Sequence, residues 1–217
     1  MRVGGAEFSK TKMCTEILAA ADAIERAVRA RNAVFIAIVG IPGSGKSTVS
    51  EELRTRWPWA IVLPMDGYHL PKRMLDAEEM RRRGAPHTFD PARLRADLLR
   101  LKQIGMGEFP AFDHAEADPR EAAIRINADA RPIFVEGLYL LLAAWQLEII
   151  FDLRVFLDCP LDLAMRRVAA RHLACGLAPD AAAAQLRTEN NDRLNANIIL
   201  ADACRVRADI VIATAAN

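Results

Sequence analysis

Nine consecutive residues, Gly40-Ile41-Pro42-Gly43-Ser44-Gly45-Lys46-Ser47-Thr48, match the pattern G-x-x-x-x-G-K-[ST] in full. The apolar run Val34-Phe35-Ile36-Ala37-Ile38-Val39 comes directly before them, which is the strand-to-helix setting this pattern requires. Glycines let the backbone turn tightly enough for successive N–H groups to point inward, and the helix that follows adds its positive end to the same pocket. The segment therefore predicts a phosphate cradle, with Lys46 on the outer phosphates of a nucleoside triphosphate and Ser47 on a magnesium ion. A chain built around it is committed to strands alternating with helices.

The rest of the sequence follows that alternation. Residues 1–9 read as a frayed end. Residues 11–30 carry Ile17, Leu18, Ala21, Ile24 and Val28 at helical spacing and predict an N-terminal helix. Further strands are expected at 60–63, 133–137, 153–157 and 208–213, and helices at 47–57 and 92–103. Asp90-Pro91 caps the second of these and Gly105 ends it. The strand candidates are continuous apolar runs, the pattern of a parallel sheet covered on both faces. The expected division is an N-terminal helical segment, 1–32, and one globular domain, 33–217, of α/β class.

Charge and composition narrow the function. With 29 basic and 28 acidic residues the net charge is +1, which argues against a nucleic-acid or membrane-surface footprint. The one basic run, Arg81-Arg82-Arg83, reads as a solvated face. Cys14, Cys159, Cys175 and Cys204 are scattered singly, and so are His69, His87, His114 and His172, so neither disulfides nor a zinc site are expected. No leader pattern is seen at the N-terminus, and the longest apolar stretch, 138–151, is interrupted by Gln146 and Glu148. Cytoplasmic location is the expectation. The oligomeric state is left open, a homodimer included.

Several other charged residues stand where chemistry would need them. Asp66 follows an apolar run and precedes Gly67, which puts a carboxylate at the carboxyl edge of the sheet, where ligands of open α/β sheets bind. It reads as the base for an acceptor hydroxyl or as an Asp-Gly turn. Glu136 ends the run Ile133-Phe134-Val135, as a magnesium-associated carboxylate does, or it caps Gly137. Arg167 and Arg171 are four apart on a predicted helix after Pro160 and share a face; Arg166 lies beside them.

Taken with Met65-Asp66-Gly67-Tyr68-His69, Gly84-Ala85-Pro86-His87-Thr88-Phe89-Asp90, Pro110-Ala111-Phe112-Asp113-His114 and Val135-Glu136-Gly137-Leu138-Tyr139-Leu140-Leu141, the phosphate loop resembles the phosphoribulokinase/uridine kinase family. The form Asp-Gly-Tyr-His and the later Glu-Asn-Asn-Asp-Arg-Leu-Asn look like the branch labelled fructose transport system kinase. The resemblance implies a P-loop kinase fold: a five-stranded parallel sheet, helices on both faces and a mobile lid. It implies ATP and Mg2+ as cofactors and phosphoryl transfer to a hydroxyl of a small metabolite, fructose-like, with uridine, cytidine or pantothenate as alternatives. Asp66 would be the base, and Lys46, Arg167 and Arg171 would act on the transferring group. Tyr68, His69, His87, Phe89, Phe112, His114 and Arg120 fall where the family lines its acceptor pocket. Phe112 stands where uridine kinases often have tyrosine.

A different class, a GTPase switch or regulatory ATPase, shares the phosphate loop. The chain has no N-K-x-D to read guanine and no D-x-x-G. A non-catalytic nucleotide-binding protein would not need Asp66 or the helix arginines.

Overall fold

The computed structural model describes residues 4–214. Helix α1 (Gly4–Arg31) leads into β1 (Phe35–Val39), the phosphate loop and α2 (Lys46–Arg56), then β2 (Ile61–Pro64). After α3 (Ala77–Arg81) and α4 (Pro91–Ile104) come β3 (Gly107–Asp113) and β4 (Asp118–Ile126), then β5 (Ile133–Gly137), β6 (Leu153–Asp158) and α5 (Leu161–Ala174). Helices α6 (Ala181–Arg187) and α7 (Arg193–Ala201) flank a π-helical turn at Thr188–Asp192, and β7 (Ile210–Ala213) ends the sheet. Of the expected frayed end, residues 4–9 are instead helical and 1–3 lie outside the described residues.

Five strands form one parallel sheet in the order β2-β5-β1-β6-β7. Period-two alternation divides its side chains between two cores. Phe35, Ala37, Val39, Ile133 and Val135 face α4, α5 and α7, where Leu94, Leu98, Met165, Val168 and Ile199 meet them. Ile36, Ile38, Phe134, Val155 and Leu157 face α1 and α2, against Ala20, Ala21, Ile24, Val49 and Leu53. Ile38 and Phe134 are fully buried, so trimming either to alanine would cost roughly 2–5 kcal/mol.

The local rules account for the ends of α4. Asp90 Oδ1 accepts from Arg93 N at 2.9 Å, Pro91 occupies the first turn, and Gly105 closes the helix at φ 80°. The β3–β4 hairpin was not expected from the sequence. Pro110 lies at its register shift between Phe109 and Ala111, and residues 120–123 are all exposed, so the segment shows no buried alternation.

The basic run is not a solvated face. Only Arg81 is exposed. Arg82 Nη2 donates to Asn195 Oδ1 at 3.1 Å, and Arg83 Nη2 donates to Asp118 Oδ1 at 2.9 Å with its guanidinium 5.4 Å from the Phe112 ring centroid. Acceptors from distant segments turn two of the three arginines inward. No described helix is long and apolar enough to cross a membrane.

Candidate active site

Register places the site. Ile38 pairs with Glu136 and Pro64 also pairs with Glu136, so β1, β5 and β2 end together. The phosphate loop, Glu136 and the turn bearing Asp66 therefore gather at one carboxyl edge. Gly45 holds φ 94° at the N-cap of α2, a conformation glycine adopts freely. Gly43, at φ 80°, lies so close to α5 that a Cβ would stand 2.3 Å from Ala164 O.

Lys46 is buried, and its Nζ donates to Ile41 O at 3.0 Å. Burial pulls its pKa down to about 8, against the opposing pull of Glu136 and then Asp66. Ser47 Oγ lies 3.1 Å from each carboxylate oxygen of Glu136. Burial pushes the Glu136 carboxyl above its usual range; Lys46 works against that and Asp66 with it. Arg171 lies within electrostatic reach of both Lys46 and Glu136.

Two cavities open here. A larger one, about 440 Å³, runs along the phosphate loop between α2, α5 and α1, with Glu16, Arg167 and Thr214 at its margin. A smaller one, about 170 Å³, lies between Asp66, His69, Phe89, Glu136, Asp192 and Asn195. Gly43, Lys46, Ser47 and Arg171 line both.

Not every residue expected at an acceptor pocket lines the smaller cavity. His69 and Phe89 line it, their rings stacked at 3.9 Å between centroids. Burial holds the His69 imidazole below its usual pKa; Asp66 opposes that shift and Arg83 adds to it. Tyr68 is not in the cleft: it is buried in the core, and its hydroxyl donates to Asp97 Oδ2 at 3.1 Å. Phe112 stands one layer behind, 5.1 Å from the His69 ring centroid, and is not part of the lining. His87, His114 and Arg120 are exposed outside the cleft, because each sits on a loop or strand face turned to solvent. Arg166 is exposed on α5, whereas Arg167 and Arg171 share the face toward the larger cavity.

Arg83, read from the sequence as part of a solvated face, lines the smaller cavity, and so do Asn191, Asp192 and Asn195. Asn191 and Asp192 belong to the π-helical turn and Asn195 to the first turn of α7. Asp192 Oδ2 lies 3.6 Å from Nε2 of buried His172, and burial raises its carboxyl pKa against the pull of that histidine and then of Arg171.

Comparison with known proteins agrees with this geometry. Residues 35–176 match the phosphoribulokinase/uridine kinase family. A Schizosaccharomyces pombe protein named provisionally as a uridine kinase is 37% identical over 196 residues, with 82% of each chain covered. A crystal structure from a Silicibacter species, described provisionally as a fructose transport system kinase, is 35% identical with a TM-score of 0.72, covering 77% of this chain and 84% of that one. The structure of YFH7 from Saccharomyces cerevisiae, 20% identical, covers 91% of this chain and 98% of its own with a TM-score of 0.69, and so shares the fold. Phosphate loop, parallel sheet and family match together make this chain a member of the phosphoribulokinase/uridine kinase family and a P-loop kinase.

Proposed function

We propose that the protein transfers the γ-phosphoryl group of ATP to a hydroxyl of a small polyhydroxylated metabolite, a sugar or sugar derivative. The observation that supports this most is the junction of the two cavities at Lys46, Ser47 and Arg171, with the Asp66 carboxylate on the acceptor side. A phosphoryl group in flight needs alignment and charge stabilisation more than covalent help. Lys46 and Arg171 bring two cations to that point. Asp66 accepts the proton of the attacking hydroxyl.

The donors near the loop fit a magnesium ion. Ser47 offers a hydroxyl oxygen and Glu136 a carboxylate, both hard ligands, while among the described residues no group of three or more His, Cys, Asp or Glu forms a metal cage. Mg2+ is commonly held by one or two protein oxygens together with substrate phosphates and water. When bound, it would neutralise phosphate charge beside Lys46.

The size and polarity of the smaller cavity support a sugar-like acceptor. About 170 Å³ is below the roughly 300–1,000 Å³ of pockets for drug-sized ligands. Its walls carry Asp66, Asp192, Asn195 and His69, which can hydrogen-bond several hydroxyls at once. A site of that kind rejects analogues lacking a hydroxyl strongly. The test is coupled ADP release across hexoses, pentoses, sugar acids, nucleosides and pantothenate. Steep preference among epimeric sugars is expected. Uridine or cytidine as best acceptor, with no sugar active, would replace this reading with a nucleoside kinase.

A further inference from the structure

Arg82 grips two asparagines that line the smaller cavity from across the fold. Its Nη1 donates to Asn191 Oδ1 at 2.5 Å and to Asn190 O at 3.0 Å, and its Nη2 donates to Asn195 Oδ1 at 3.1 Å. The segment that carries Arg82 is itself held in place. Fully buried Tyr139 donates from Oη to Gly84 O at 2.7 Å, and Asn191 Nδ2 donates to Arg83 O at 2.9 Å.

This network fixes which way the Asn195 amide points. A guanidinium only donates, so the amide must turn its oxygen to Arg82 and its nitrogen away. Asn191 spends both ends of its amide on the protein, whereas Asn195 Nδ2 meets no acceptor among the described residues. Asn195 is 2% exposed, and its Nδ2 would stand 3.5 Å from a Cβ at Gly84, which lines the same cavity. Ser44 Oγ and Ser50 Oγ are sealed in without partners; Asn195 Nδ2 is not sealed, and the cavity is its outlet.

Asp192 lies three residues before Asn195, so the two share a face, and both line this cavity. His172 stands beside one Asp192 oxygen, Nε2 to Oδ2 at 3.6 Å. Charged or protonated, a carboxyl keeps an oxygen that accepts. A donor N–H and an accepting carboxyl on one face suit a hydroxyl, whose oxygen takes the N–H while its proton goes to the carboxyl. A carbonyl meets only the first, an amine proton only the second, and a C–H neither.

We propose that Asn195 is a specificity-determining residue, donating from Nδ2 to an acceptor hydroxyl other than the one phosphorylated, and that Arg82 is the positioning residue that fixes its amide in that orientation. This deepens the reading of a polyhydroxylated acceptor and rests on it.

The test uses the best acceptor from the panel of hexoses, pentoses, sugar acids, nucleosides and pantothenate, with its single-deoxy analogues, and reads kcat/KM beside ADP affinity and thermal midpoint. Asn195→Asp keeps the size and the bond to Arg82 but puts an oxygen where Nδ2 stood. It should lower kcat/KM about 10- to 100-fold, mainly by raising KM, because a donor is lost and lone pairs face each other. ADP affinity should not change, since Asn195 does not line the larger cavity. The deoxy analogue lacking the hydroxyl that Asn195 reads should be about tenfold or more poorer with the wild type, yet no poorer with Asn195→Asp than with the wild type. Arg82→Ala frees the amide to rotate and should cost about 3- to 10-fold in kcat/KM. Adding Asn195→Asp to it should cost less than in the wild type, because the two act as a unit. Wild-type kcat/KM in Asn195→Asp, or a loss of ADP affinity in that variant when folded, would overturn the proposal, and so would deoxy penalties identical in both enzymes at every position. If Asn195→Asp does not fold, wild-type kcat/KM in Arg82→Ala would do the same. A nucleoside as best acceptor would replace the sugar reading and leave the Asn195→Asp ratio to decide this one. A wild type that phosphorylated no member of the panel would remove both.

Discussion

Ser47 Oγ is equidistant, at 3.1 Å, from the two carboxylate oxygens of Glu136, so the first turn of α2 and the end of β5 are joined through a hydroxyl and a carboxylate. Both are oxygen ligands suited to Mg2+. Glu136→Gln keeps the size and removes the charge. It should raise the magnesium concentration for half-maximal turnover by about 10- to 100-fold, the scale seen when groups that orient metal ligands are lost. A magnesium titration of ADP release at saturating ATP measures this, and an unchanged midpoint would remove Glu136 from the metal site.

Nucleotide affinity should fall as pH rises through about 8. Burial lowers the Lys46 pKa from its usual 10.5 to about 8, so the free protein loses this positive charge near that pH. Bound phosphate favours the charged form, so binding takes up a proton on the alkaline side. The sign for folding is opposite. Between about 8 and 10.5 the unfolded chain binds the extra proton, so Lys46 by itself makes stability rise with pH in that window. ADP dissociation constants from pH 6.5 to 9.5 should rise in the wild type and stay flat in Lys46→Ala.

Asp209, just before edge strand β7, ties that edge to β6 and α1. Asp209 accepts from Arg154 N at 2.8 Å, Nε at 2.9 Å and Nη2 at 3.0 Å, and it pairs with Arg31 of α1. The bond from the Arg154 side chain is the main cause holding this carboxyl far below the usual carboxylate range. A depressed carboxyl contributes stability that is full above its unfolded pKa and is lost as pH falls. Asp209→Ala should therefore destabilise by about 2–3 kcal/mol at neutral pH. For a chain of this size that lowers the thermal midpoint by roughly 4–12 °C. The deficit should shrink toward pH 3, and a pH-independent deficit would mean packing rather than charge.

Much of the site is legible in the sequence because its signals are local. The phosphate loop needs only its own glycines and the strand before it, and Asp66 and Glu136 each end an apolar run that the sheet then aligns. What the sequence hides depends on contacts between distant segments. Glu16 reaches the larger cavity only because α1 packs across α2 and the sheet. Asp192 reaches the smaller cavity from a π-helical turn, whose extra residue shifts the facing of side chains and has no sequence signature of its own. For His87, His114 and Arg120, residue type and position in a motif could not tell which side of the backbone would face the cleft.

In the proposed reaction Asp66 is the proton acceptor for the attacking hydroxyl. The direct measurement follows the label from γ-labelled ATP into the acceptor found by the screen, in the wild type and in Asp66→Asn, beside ADP affinity. The wild type should place the label on the acceptor, and Asp66→Asn should do so about 10²- to 10⁴-fold more slowly with ADP affinity unchanged. Label released only to water by the wild type, or transfer by Asp66→Asn at the wild-type rate, would contradict it.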